Sequence, residues 1–356
     1  MTHKKQFKDL DFNGQVFLIG IDTHKRSWRV TIRSNQMELK IFSMNPSPKE
    51  LTNYMRKNYP GGKYYSVYEA GFCGYWIHRE LTDLDFINII VNPADVPTTN
   101  KEKTNKADPI DSRKLARELE NGSLKGIFIP NKQQQALRSL SRLRFQIVKK
   151  RVQIKNRIKG FLHFHGIEIP ENSELSHWSG TFIVWLKLIE FSEPLDRMYL
   201  DTQIAELKYQ RERTLKILRT IRKICNENKI LRYIKSIPGI GLITTFTIYA
   251  ELIDIRRFKN LDHQASFVGL IPLVNSSGDK EIIKGITFRH NKHLRYLLVE
   301  AAWQAIRKDP VMTMRYNQLI KRMSKQRAII HIAKKLLNRI RYVWLNEKEY
   351  VIGVVQ

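Results

Sequence analysis

The chain has 356 residues, 42% of them apolar and spread along its length, enough for two or three domains with true cores. Lysine and arginine outnumber aspartate and glutamate by 62 to 34, and the resulting +28 and pI near 10 make a polyanion the expected partner, nucleic acid first and an anionic membrane surface second. No apolar stretch approaches the roughly 18 residues of a membrane-spanning helix, the polar start MTHKKQFKDLDFNG is no signal peptide, and Cys73 and Cys225 with one nearby His78 make neither a disulfide framework nor a zinc site. These features predict an intracellular protein with no membrane association and two ordinary buried thiols.

From residue 15 to 44 the runs QVFLIGID, SWRVTIRS and MELKIFSM carry the β-branched and aromatic content of three strands joined by short turns, an antiparallel meander. SPKELTNYMRKNY follows with a capping box from Ser47 to Glu50 and Pro48 at the first helical position. Then come a strand in KYYSVYEA, a helix over YWIHRELTDL, a strand in FINIIVNP and a helix starting at Asp108. The pattern predicts a mixed α/β domain over residues 1–128.

Residues 129–230 change character. RSLSRLRFQIVKKRVQIKNRIK, from Arg138 to Lys159, has nine basic side chains and no acid, with Leu140, Leu143, Ile147, Ile154 and Ile158 at helical spacing. Arg138, Arg142, Arg144, Lys149, Lys150, Arg151, Lys155 and Arg157 are the candidate nucleic-acid contacts on this helix. A second long helix carries Leu200, Ile204, Leu207, Leu215 and Leu218 as an apolar stripe. The pair suits a helical hairpin or coiled-coil arm as well as a bundle with a solvated basic face. Residues 231–356 are predicted to be mainly helical, broken by one loop bearing glycine and serine.

Four acids fall at informative places. Asp22 ends the first strand in LIGIDTHK and Glu69 ends the fourth in YYSVYEAG; in a sheet where those strands are neighbours, the two carboxylates lie close together. In NKADPIDSRKLARELE, Asp108 and Asp111 sit one helical turn apart. Asp108 also suits an N-cap, Pro109 the first helical position and Asp111 the third, so the pair serves equally as a helix opening. Crowded carboxylates repel unless a hard divalent cation neutralises them, and Mg²⁺ or Mn²⁺ prefers such oxygen donors.

The order GID after the first strand, YEA after the fourth and DPIDSRKLA on a later helix resembles the RuvC-like, RNase H-type domain of the DEDD insertion-sequence transposases, a family that includes bridge-RNA-guided recombinases and Piv-type DNA invertases. The resemblance implies that Asp22, Glu69, Asp108 and Asp111 are the catalytic acids and metal ligands. It extends to FVGLIPLVNSSGDK, which by composition is a turn. Gly269, Leu270 and Pro272 match the family's G-L-x-P stretch, and Ser277, before Gly278, takes the position of its nucleophile, with Ser276 the neighbouring register. SIPGIG, with Gly239 and Gly241, resembles the turn of a helix-hairpin-helix element, whose backbone N–H groups hold phosphate. Arg289, Lys292, His293 and Arg295 follow the serine in FRHNKHLRYLLVEAAWQA and are available for phosphate.

The implied function is a recombinase that mobilises its own insertion sequence through a phosphoserine joined to a DNA end, acting on donor and target DNA as a dimer or tetramer in a bacterial or archaeal cell. A structured guide RNA on the basic helix is a further expectation. The alternatives are a Holliday-junction nuclease that uses water, an invertase without guide RNA, and a non-enzymatic nucleic-acid-binding module. An actin-like sugar kinase is the least supported, because IDTHKRS lacks the glycine that a phosphate-binding turn needs.

Overall fold

The structure, a computed structural model, describes residues 11–97, 108–277 and 280–353, and the side chains of 108–110 and 274–284 are not part of that description. The chain divides after Ile129 into two compact units. The expected split at 230/231 runs inside the second unit, because the long helices pack directly on the helices that follow them.

The first unit is a five-stranded sheet. Strands β1 (Val16–Thr23), β2 (Trp28–Ser34) and β3 (Met37–Met44) form the expected meander. Helix α1 (Pro48–Asn58), β4 (Lys63–Glu69), α2 (Trp76–Asp83), β5 (Ile87–Val91) and α3 (Asp108–Glu120) follow. The strand order is β3-β2-β1-β4-β5, with β1–β4 and β4–β5 parallel and the meander antiparallel. Alternation divides the faces. Phe17, Ile19, Ile21, Tyr64 and Tyr68 point into one core with Leu51, Met55, Ile77 and Leu81 of α1 and α2. On the opposite face Val67 and Val91 pack on Leu115 of α3. The Ser47 hydroxyl caps α1 by accepting from the Glu50 amide at 3.2 Å, while the Glu50 carboxylate accepts from Asn45, so only half of the expected capping box forms.

Among its described residues the second unit is helical apart from one strand pair and short connections. It comprises α4 (Lys132–Phe164), α5 (Gly180–Leu188), α6 (Pro194–Glu227), α7 (Lys229–Lys235), α8 (Leu242–Leu252), α9 (Leu261–Val268), α10 (Lys292–Lys308), α11 (Pro310–Ile320) and α12 (Lys325–Asn346). The serine segment is a strand pair, not a loop. Strand β6 (Pro272–Ser277) pairs antiparallel with β7 (Lys280–Ile286), whose KEIIKGI carries β-branched residues.

Helices α4 and α6 pair along their length, and Ile147, Ile154, Ile158, Leu200, Ile204 and Leu207 of the expected stripes are buried, but the stripes are not followed throughout. Leu143 and Leu215 are solvent-exposed, and the face of α6 turned inward carries Gln203, Gln210 and Thr214 among its aliphatic residues. Two separate cores result: Ile154, Ile158 and Leu162 with Phe182, Leu186, Leu200, Ile204 and Leu207, and Ile147 with Ile217, Ile221, Cys225, Leu231 and Phe246. Both cysteines are buried free thiols, as expected. Among the described residues no helix is long and apolar enough to cross a membrane.

Candidate active site

The acids are positioned by a contact that leaves no room for a side chain. A Cβ on Gly20 would lie 2.2 Å from the Ser112 carbonyl oxygen and 2.5 Å from the Ala116 amide, so α3 rests directly on the β1 backbone. Thr31 and Ser112 share a buried hydroxyl hydrogen bond of 2.9 Å beside that contact. Salt bridges fix the helix to the β2–β3 hairpin: Arg33 to Glu120 at 2.6 Å and Arg113 to Glu38 at 3.1 Å, the latter with two parallel bonds. Asn35 and Gln36 turn that hairpin with φ of 48° and 63°, and the Gln36 amide donates to Glu120.

Asp22 lies two residues beyond Gly20, hence on the face that α3 covers, and Glu69 lies two beyond Val67 on the same face. The β1–β4 register ends with Ile21 opposite Tyr68, which sets Asp22 and Glu69 at one level on adjacent parallel strands. Asp111 is one turn before Leu115, the residue that packs on Val67, so α3 brings it to the same end of the sheet. The Glu69 carboxyl records this crowding. Its pKa is raised, first by burial, then by Asp111 and more weakly by Asp22, against the opposing charge of Lys114.

Asp22, Glu69 and Asp111 are thus brought together. Asp108 opens α3, one residue ahead of its expected capping position, and its side chain lies outside the described residues. Among the described residues no three His, Cys, Asp or Glu side chains form a ready metal cage. Two neighbours escape a reading of the acids alone. His24 approaches Asp22, with 3.1 Å between Nε2 and Oδ2, and its i+2 position on β1 is the signal for it. Buried Lys114 faces Glu69 and lies three residues after Asp111 on α3.

In the second unit, Ser276 and Ser277 close β6 opposite Glu281 and Lys280; their side chains lie outside the described residues. Gly239, with φ of +90°, packs on α10, where a Cβ would meet the Ala305 amide at 2.6 Å, and Gly241 opens α8. Both conditions demand glycine at 239. Arg289 and Lys292 are exposed, and Arg295 donates to the Thr287 carbonyl at 2.7 Å, bracing the exit from β7.

The basic helix is not uniform. Glu251, 1% exposed, receives Arg142 at 2.8 Å and 3.0 Å and lies 3.5 Å from Arg138, so those two cations serve a buried carboxylate. Asn291, the N-cap of α10, donates to the same carboxylate at 2.8 Å. Burial alone would raise the Glu251 pKa, but the bonds from Arg142 and Asn291 and the charges of Arg142 and Arg138 hold it below the usual range. Among the described residues Arg144, Lys149, Lys150, Arg151, Lys155 and Arg157 pair with no carboxylate.

A 3-2-1-4-5 sheet with carboxylates at the adjoining ends of β1 and β4, met by an acidic helix start, defines an RNase H-type, RuvC-like domain. A DEDD transposase family model matches residues 19–166, and a second, described as the transposase IS116/IS110/IS902 family, matches residues 231–317. The two matches, at either end of the chain, support a DEDD transposase of the IS110 family. It is 27% identical over 237 residues to the transposase for insertion sequence element IS1111A of Coxiella burnetii, covering 65% of each chain. It is 29% identical over 245 residues to putative transposase y4qE of Sinorhizobium fredii, 67% of this chain and 58% of the other. With the transposase for insertion sequence element IS1328 of Yersinia enterocolitica it shares 26% over 291 residues, 81% and 83% of the two chains. The match thus spans less than two thirds of the length of the first two relatives.

Proposed function

We propose that the protein is a DNA transposase that cuts and rejoins strands of its own insertion sequence, with Asp22, Glu69, Asp108 and Asp111 as metal-binding acids and Ser277 as nucleophile. The observation that carries the reading is the level pairing of Asp22 and Glu69 with Asp111 brought down on them by α3. The donor set is all oxygen, with Lys114 and His24 beside it, which fits Mg²⁺ or Mn²⁺. When bound, such a cation lowers the cost of charge developing on a phosphoryl oxygen. The Ser277 Oγ forms a bond to phosphorus as the strand's P–O bond breaks, and the leaving strand oxygen takes up a proton. Return of a strand hydroxyl to the phosphoserine reforms the diester and releases the serine. Exposed Lys149, Lys150 and Arg157, with Arg144, Arg151 and Lys155, form the face proposed to hold a structured guide RNA through its phosphates.

The test is a denaturing gel of the protein incubated with end-labelled insertion-sequence DNA and Mg²⁺ or Mn²⁺. The wild type and Ser276→Ala should yield a covalent protein–DNA adduct, Ser277→Ala none, and Asp22→Asn neither adduct nor cut. Cut strands with free ends and no adduct in the wild type would assign the attack to water and make the protein a junction nuclease. For the RNA, exchange of Lys149, Lys150 and Arg157 for Gln should weaken binding and flatten its salt dependence.

A further inference from the structure

Within the second unit, α4, the segment before α5, and α6 enclose a cleft of about 870 Å³, inside the roughly 300–1,000 Å³ range of small-molecule sites. Its cations are Arg151, Lys155, Lys187, Lys208 and Arg211, and the one acid in its lining, Asp201, is held by two bonds from Arg197 at 2.6 Å and 3.0 Å. Among the described residues no carboxylate pairs with Arg151, Lys155, Lys208 or Arg211. The Lys155 ammonium sits 4.8 Å from the centre of the Trp178 ring, and Ile183, Ile204 and Leu218 supply apolar walls. Burial, and then the charges of Arg151, Lys159 and Arg211, lower the Lys155 pKa, as expected for cations gathered without a counter-ion.

A ligand matched to this lining carries a negative charge beside a flat apolar ring system. We infer that the cleft binds an unpaired nucleotide of a single-stranded nucleic acid, its phosphate among Arg151, Lys155 and Arg211 and its base against Trp178. The inference rests on the reading of α4 as a nucleic-acid surface, and not on the serine chemistry. An aromatic ring beside phosphate-binding cations is how proteins hold single strands without reading sequence.

The experiment measures fluorescence anisotropy of the full chain with labelled hexamers of uridine, of thymidine, and of an abasic backbone. Lys155→Gln combined with Arg211→Gln should weaken all three. Trp178→Ala should weaken the two base-bearing strands about fivefold or more and leave the abasic strand unchanged, with binding recovered in Trp178→Phe. Tighter uridine binding points to RNA and tighter thymidine binding to DNA, either of which supports the cleft. Lys149→Gln with Lys150→Gln, on exposed α4 positions outside the lining, separates the failures. If this pair weakens binding and the cleft variants do not, the cleft inference falls and the surface reading stands; if none does, both fall. Wild-type affinity for the base-bearing strands in Trp178→Ala overturns the inference even if the charge variants bind weakly. So does a dimer that dissociates in the charge variant with no change in hexamer binding, which would seat a second copy in the cleft.

Discussion

At the scale of single residues, Gly20 and Glu251 do the most positioning. Any side chain at 20 must push α3 off the sheet, so Gly20→Val should destabilise the protein by about 1–3 kcal/mol and displace Asp111 from Asp22 and Glu69. Urea unfolding measures the first effect, and loss of strand cleavage in protein that remains folded measures the second. Glu251 is held ionised, its pKa below the unfolded value, so its contribution to stability is present above the unfolded carboxylate pKa of roughly 4.3 and is lost as pH falls through the folded value. Glu251→Ala, which removes a buried carboxylate bonded to Arg142 and Asn291 and close to Arg138, should destabilise the protein at neutral pH, and the deficit should narrow in acid. Glu69 shows the opposite sign. With its pKa raised, ionisation works against the fold, so Glu69→Gln should raise the melting temperature of the metal-free protein at neutral pH while abolishing cleavage. An unchanged or lower melting temperature would mean that the acids are not crowded. The positions of Asp22 and Glu69 at the ends of β1 and β4 were legible from the strand patterns. Glu251 was not, because its partners lie 109 and 40 positions away in sequence and nothing local marks it as buried.

At the scale of elements, alternation and caps made the first unit readable: each strand of the meander, the Ser47 cap and the β4–α2–β5 succession follow from local patterns. The long helices were readable as helices and, through Ile147, Ile154, Ile158, Leu200, Ile204 and Leu207, in most of their inward faces. A stripe chosen by residue type runs to Leu143 and Leu215, whereas the buried line on α6 passes through Gln203, Gln210 and Thr214. The serine segment was read from NSSG as a turn because its strand character lies partly in β7, after the glycine. The β2–β3 turn offers a test of local preference. A non-glycine residue in the left-handed region costs about 1–2 kcal/mol, against about 0.5–1 kcal/mol for the added freedom of an unfolded glycine. Gln36→Gly keeps the amide that donates to Glu120, so it should raise stability by about 0.5–1 kcal/mol, seen as a higher urea midpoint with an unchanged slope.

At the scale of the whole molecule, the +28 charge is read directly from composition, and its consequence is kinetic as much as thermodynamic. Association with DNA should slow steeply as salt rises, and the logarithm of the binding constant should fall linearly with the logarithm of salt concentration. A flat salt dependence would mean that the cations serve the fold, as Arg138 and Arg142 do. Within the second unit the packing of α4 on α8 and of α6 on α7 joins segments whose compositions differ.

The polar stretch of α6 between its two cores has a further consequence. Gln210, buried with a side-chain oxygen that accepts no hydrogen bond among the described residues, and Thr214 separate Leu207 of one core from Ile217 of the other, so aliphatic packing is interrupted midway along the α4–α6 pair. Cooperativity should break there. Backbone amides around Leu186, Leu200 and Ile204 should exchange with solvent deuterium through an opening event of their own, at lower free energy than those around Phe246 and Ile221. The far half of the pair would then unzip and re-form while the rest of the unit stays folded, so the unit would show two opening free energies in place of one.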